Sequence, residues 1–151
     1  ILPIAAIRGE GTSNEYLPPE VPSLPAFSML RAISSAIRDQ GKDYWTGTIY
    51  TTNRRVWEYD TAFKDYLKRT HATGIDMETA TLLTAGFANK IPTGALLMIS
   101  DKPMEEDGVK TEASDRIVTR SFAPEHVKLG IEALHQIIDE KKTVRHIRFS
   151  W

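Results

Sequence analysis

The carboxylates best placed to do chemistry stand in two short strings, Gly74-Ile-Asp-Met-Glu78 and Ile99-Ser-Asp101. The first reads as a strand end and the second closes an apolar run that reads as a buried strand, and open α/β sheets bind ligands outside the carboxyl ends of their strands. Asp101 then emerges beside Ser100 at the rim of the core, a partly desolvated place suited to a general acid. The plainer alternative is that Ser100-Asp101 only begins a turn. Glu78 has two acceptor oxygens, enough to hold a vicinal diol such as the 2′- and 3′-hydroxyls of a ribose. A structural alternative stands here too, in which Asp76 caps the next helix and Glu78 complements its positive N-terminus.

A third group is Thr51, Thr52, Asn53, Arg54 and Arg55. Hydroxyls, an amide and two guanidiniums suit a phosphate or the edge of a base, although a solvated basic turn has the same composition. Trp45, Tyr50, Trp57 and Tyr59 lie close by and offer either a stacking face for a heterocycle or ordinary core. His71, His126, His135 and His146 show no metal spacing and read as surface or interface residues. With no cysteine in the chain, thiolate zinc sites, disulfides and cysteine nucleophiles are all excluded. Walker and dinucleotide patterns are missing, and Gly9-Glu-Gly11-Thr-Ser13 is glycine-rich without opening a helix.

The elements that must position these residues alternate. Residues 1–7 read as a buried strand, and residues 8–25, with four prolines, as a long connector that is either a functional loop or a surface crossing. Phe27, Leu30, Ile33 and Ile37 share one face of a helix over 26–40, ended by Gly41. Residues 44–52 read as a strand, Asp60 as the N-cap of a helix burying Phe63 and Leu67, and residues 74–76 as a strand end. A helix over 78–89 turns Ala80, Leu83 and Phe87 inward. The apolar run 94–99 suits a parallel strand covered on both faces. After an acidic loop over 101–113, Ser114 or Asp115 opens a helix. Pro124 starts or kinks the last one, which faces the core with Val127, Ile131, Leu134 and Ile138. The tail from residue 141 has four basic residues and no acids, and reads as solvated or intersubunit. Strands alternating with helices predict a layered α/β fold with a mixed, largely parallel central sheet.

At 151 residues and 17.0 kDa the chain has the length of one domain, and 41% hydrophobic residues suffice for a core. Its 19 basic and 20 acidic residues leave a net charge of −1, which argues against nucleic acid as a partner. No apolar run approaches the roughly 18 residues of a membrane span, and no signal peptide is visible, so we expect a cytoplasmic protein. The chain opens on Ile1 rather than Met, and we expect a piece of a longer protein.

Ile75-Asp-Met-Glu-Thr-Ala-Thr81 and Leu97-Met-Ile-Ser-Asp101 together resemble the nucleoside phosphorylase superfamily. There, a Glu-Met-Glu motif grips ribose and a Ser-Asp contacts the purine. Arg8-Gly-Glu-Gly-Thr-Ser13, Tyr44-Trp-Thr-Gly47, Thr51-Thr-Asn-Arg-Arg55, Asp107-Gly-Val-Lys110, Glu140-Lys-Lys-Thr143 and Trp151 resemble, more narrowly, the bacterial AMP nucleosidase family. The resemblance runs along essentially the whole chain. It implies a nucleoside phosphorylase-like fold of which residues 1–151 are the C-terminal portion, with the N-terminal catalytic half and a regulatory domain lying upstream. The phosphate-cradling glycine loop would lie there too, so residues 1–151 alone are expected not to turn over AMP.

By the same resemblance the reaction is hydrolysis of AMP to adenine and ribose 5-phosphate, without metal or organic cofactor. Glu78 would bind the ribose hydroxyls, Met77 would pack beneath the sugar, and Asp101 would protonate N7 of the departing purine, with Ser100 beside it. Asp76 stands where the wider family often has Glu. Thr52, Asn53, Arg54, Arg55 and Trp57 are the remaining candidates for substrate contact. The family also implies a homo-oligomer, a hexamer, responsive to ATP and phosphate through regions upstream. Two alternatives remain: a purine nucleoside phosphorylase, in which phosphate replaces water, and a non-catalytic nucleotide-binding or oligomerisation module.

Overall fold

Three parallel strands build the sheet in the order β1 (Leu2–Gly9), β2 (Thr46–Thr52), β3 (Gly74–Asp76). The computed structural model describes residues 1–140; the basic tail, His146 and the C-terminal strings from residue 141 lie outside the described residues. Parallel neighbours need crossovers, and helices α1 (Phe27–Asp39) and α2 (Thr61–Thr70) supply them. Helices α3 (Thr79–Ala88) and α4 (Glu112–Glu140) follow β3. The alternating β/α order expected from the sequence is therefore present, with all ladders among the described residues parallel. An isolated antiparallel bridge, Ala6 to Ser23, ties the long connector to β1.

The register explains the layering. Ile7, Tyr50 and Ile75 stand on one rung, and they meet Trp57, Phe63 and Leu67 around α2. One residue earlier the side chains point to the opposite face, where Ala6 packs on Ala80 and Leu83 of α3. Ile49, on that same rung, is completely buried. A third cluster joins Leu2 to Ala32, Ile33, Ala36 and Ile37 of α1 and to Leu129 and Ala133 of α4.

Helix ends follow local rules. Asp60 accepts the amide hydrogen of Phe63 at 2.9 Å, the N-cap bond expected at α2. At the end of α1, Gly41 takes φ +68°, its N–H reaches Arg38 O at 2.8 Å, and Lys42 N–H reaches Ile37 O at 3.2 Å. That pair of bonds is the Schellman termination, which needs a left-handed residue.

Several expectations are corrected. Residues 94–99 form no strand: Leu97 and Ile1, the residue before β1, exchange backbone hydrogen bonds of 2.7 and 2.8 Å, and Ile99 is exposed. A single rung is not a ladder. Phe87 points outward, as does Phe27. The last helix begins at Glu112, because Thr111 and Ser114 exchange hydroxyl and amide bonds around its first turn. Pro124 lies inside that helix rather than at its start. Val127, Ile131, Leu134 and Ile138 are exposed, and the inward face is instead Leu129 and Ala133, with Ile137 partly buried. Leu129 and Ala133 pack on Ala32, Ile33, Ala36 and Ile37 of α1, and polar contacts flank that seam: Lys42 pairs with Glu125, Gln40 with Glu132, and Gln136 donates to Asp39.

The proline-rich connector is fastened rather than loose. The Arg8 guanidinium donates to Ser13 Oγ, Asn14 Oδ1 and the carbonyls of Leu17, Pro18 and Val21, at 2.5 to 2.9 Å.

Candidate active site at the carboxyl edge of the sheet

Because all three strands run the same way, their carboxyl ends share one edge, with Gly9 beside Thr52 and Thr51 beside Asp76. Glu10, Asn53 and Met77 therefore leave the sheet together. Thr52, Asn53 and Arg54 line an open cleft of about 590 Å³ with Gly9, Tyr50, Asp60, Phe63 and Tyr66. Gly9 is required there, since a Cβ would lie 2.4 Å from the Tyr50 hydroxyl. Burial and, next, hydrogen bonding with Tyr66 push the Tyr50 phenol up to about 12.

Arg54 is partly committed within this cleft. Its Nη1 lies 3.0 Å from Asp60 Oδ2, and its guanidinium carbon sits 4.2 Å above the centre of the Phe63 ring. Arg55 is exposed and has no partner among the described residues. Trp57 is core: it is 7% exposed and meets Phe63 edge-on, while Trp45 and Tyr59 stand in solvent. The expected stacking face thus divides into packed and exposed rings.

The β3–α3 junction is the best-ordered part of the edge. Asp76 Oδ1 accepts from Thr51 Oγ1 at 2.7 Å, and Oδ2 accepts from Thr79 N at 2.8 Å and from the Thr79 hydroxyl. Oδ2 thus satisfies the first amide of α3, as the capping alternative expects, while Oδ1 ties Asp76 to β2. Thr51 Oγ1 also accepts from Ala80 N at 2.9 Å. Met77 and Glu78 are exposed just before the helix, and among the described residues the Glu78 carboxylate accepts only from Met77 N, at 3.3 Å. Glu78 is free to meet a ligand.

Ser100 and Asp101 are half-buried, and the Ser100 hydroxyl donates to Asp101 Oδ1 at 2.6 Å. Neither hydrogen-bonds to another candidate among the described residues. Asp101 leaves an extended segment, not a doubly covered strand, so its shelter is shallower than the sequence suggested.

Glu10 was not singled out by its position in Gly9-Glu-Gly11. It is 5% exposed, and its Oε1 accepts from Ser13 N at 3.0 Å and from Thr81 Oγ1 at 2.8 Å. Burial opposes its charge, but the hydrogen bonds from Ser13 and Thr81 hold it below its ordinary value. Only the tertiary fold brings Thr81 to it, so no local signal could have found it. No group of three or more His, Asp or Glu among the described residues could hold a metal ion.

A family model described as the phosphorylase superfamily matches residues 1–140. The chain belongs to that superfamily. Within it, the chain is 30% identical over 145 residues to AMP nucleosidase of Escherichia coli, covering 89% of this chain and 29% of that protein. It is 66% identical to the solved AMP nucleosidase of Bacteroides thetaiotaomicron, with a TM-score of 0.78, covering 93% of this chain and 53% of that one. Uridine phosphorylase from Vibrio fischeri shares the superfamily fold at 22% identity, with a TM-score of 0.75 over 89% of this chain and 55% of that one. The chain thus spans about half the length of these solved superfamily structures.

Proposed function

We propose that the chain supplies the C-terminal part of the catalytic domain of an enzyme that hydrolyses AMP to adenine and ribose 5-phosphate. The observation that carries this reading is the 66% identity to a solved AMP nucleosidase across nearly the whole chain. The exposed Glu78 at the start of α3 and the Ser100–Asp101 pair agree with it.

The C1′–N9 bond breaks and its electron pair leaves with the purine, while the oxygen of water bonds to C1′. Asp101 gives its proton to N7, because an adenine anion is a poor leaving group, and the proton shed by water balances that loss. The sugar becomes oxocarbenium-like, and hydrogen bonds to its 2-hydroxyl strengthen as charge develops. Glu78 would therefore bind the transition state more tightly than the ground state. Met77, exposed beside it, offers an apolar surface for the sugar, and Arg55 a free guanidinium for the 5′-phosphate. No step calls on a metal or organic cofactor.

Incubating the intact enzyme with AMP, with and without inorganic phosphate, tests the reaction class. Ribose 5-phosphate formed without added phosphate supports hydrolysis. Ribose 1,5-bisphosphate appearing only with phosphate would assign the chain to the phosphorylases, and binding of AMP without turnover to a non-catalytic module.

A further inference from the structure

The first turn of α3 is held from all three strands: Asp76 at the end of β3 accepts from Thr79 N, Thr51 in β2 accepts from Ala80 N, and Glu10, just past β1, accepts from the hydroxyl of Thr81. The first two contacts satisfy backbone donors that any helix start leaves open. The third does not, because Thr81 Oγ1 is a side-chain donor that water would serve equally well. Yet a carboxylate is buried to reach it, and Glu10 Oε2 is left buried without a partner among the described residues. Burying a charged oxygen unpaired is costly, and such a group calls for an explanation beyond packing.

Thr81 lies in the first turn of α3, three residues beyond Glu78, the residue at its N-cap position. We propose that Glu10 is a positioning residue for Glu78: by clamping Thr81 from the end of β1, it fixes the direction in which the first turn of α3 presents Glu78. The inference rests on the reading of Glu78 as the ribose ligand. The rest of the clamp agrees with it. Ser13 N–H shares Glu10 Oε1, and Ser13 Oγ is held by Arg8 Nε at 2.8 Å, so the acceptor oxygen is itself fixed from β1. Glu10 also stays ionised through neutral pH, since its bonds from Ser13 and Thr81 outweigh the effect of burial.

The test compares AMP with 2′-deoxy-AMP, which lacks a hydroxyl that Glu78 would grip, using the intact enzyme carrying Glu10→Ala, Glu10→Gln, Thr81→Val or Glu78→Ala. A slight misplacement of a reacting group costs on the order of 10²-fold. Glu10→Ala and Thr81→Val should therefore lower kcat/KM for AMP by about that factor, mainly through kcat, and lower it far less for the deoxy substrate. Glu10→Gln keeps an acceptor oxygen and should retain more activity than Glu10→Ala. Thr81→Val preserves shape and decides the matter if Glu10→Ala does not fold. Equal losses on both substrates, or no loss in a folded Thr81→Val enzyme, overturn the positioning role when Glu78→Ala itself discriminates between the substrates. If Glu78→Ala fails to discriminate, the ribose reading falls, and this inference falls with it.

Discussion

Thr51 and Asp76 lie opposite one another on β2 and β3, and the Thr51 hydroxyl donates to the Asp76 carboxylate at 2.7 Å. The same hydroxyl oxygen receives the amide hydrogen of Ala80, so one buried side chain joins the sheet to the helix that carries Glu78. Thr51→Val keeps the shape and removes both bonds. Leaving Ala80 N–H and one Asp76 oxygen short of partners should cost about 1–3 kcal/mol of stability, read as a lower urea midpoint with an unchanged slope.

The general-acid role is tested at Asp101. Asparagine has the same shape and can donate a hydrogen bond but cannot pass on a proton. Asp101→Asn in the intact enzyme should keep most AMP affinity and lose on the order of 10²–10⁴ in kcat. The loss should shrink for a substrate whose base departs readily without protonation. A folded variant with near-normal kcat would show that the proton comes from another group.

Arg54 and Arg55 should behave differently although they are neighbours. Arg54 is occupied by Asp60 and Phe63, whereas Arg55 has no partner among the described residues. If Arg55 meets the 5′-phosphate, Arg55→Ala removes a charge-assisted contact of about 1.5–3 kcal/mol, raising KM for AMP roughly tenfold to a hundredfold. Adenosine should be affected little. Arg54→Ala should instead lower thermal stability and act on both substrates alike. Equal effects of Arg55→Ala on the two substrates would return it to a solvated turn.

Titration of Tyr50 gives a test that needs no substrate. Its phenol is raised from 10.0 to about 12, first by burial and then by Tyr66. Between those values the unfolded chain has lost a proton that the native chain keeps, so stability is fully present below pH 10 and falls as pH rises toward 12. Absorbance near 295 nm should show one tyrosine ionising late, and Tyr50→Phe should abolish that step. A late step that survives in Tyr50→Phe would assign it to another phenol.

What was legible in the sequence depended on short range. Asp60 was readable as a cap because its partner, Phe63, is three residues away. The strand that ends at Thr52 is readable from its aromatic and β-branched residues. Residues 94–99 carry an apolar signal as well, but pairing depends on what lies alongside, and Leu97 exchanges backbone bonds with Ile1, the residue before β1, without extending into a ladder. The rotation of α4 was misjudged for a related reason. Two apolar stripes exist on that helix, and the one that is buried packs on Ala32, Ile33, Ala36 and Ile37 of α1, all remote in sequence. The sequence leaves Glu78 open between a diol ligand and a complement to the helix N-terminus, and the structure shows Asp76 anchored by Thr51 and Thr79 while Glu78 stays exposed.

The grip on the first turn of α3 also has an order in time. Asp76 and Thr79 are three residues apart, Thr51 and Ala80 are 29, and Glu10 and Thr81 are 71. Closing a longer loop costs more chain entropy and delays the contacts that depend on it. The helix can thus start from its own cap while the chain is still largely open, and it acquires its final aim only when β1 docks. On the reading of Glu78 as the ribose ligand and Glu10 as its positioning residue, we expect a partly refolded molecule with native helix content still to lack AMP turnover, which stopped-flow refolding followed by helix signal and by activity would check.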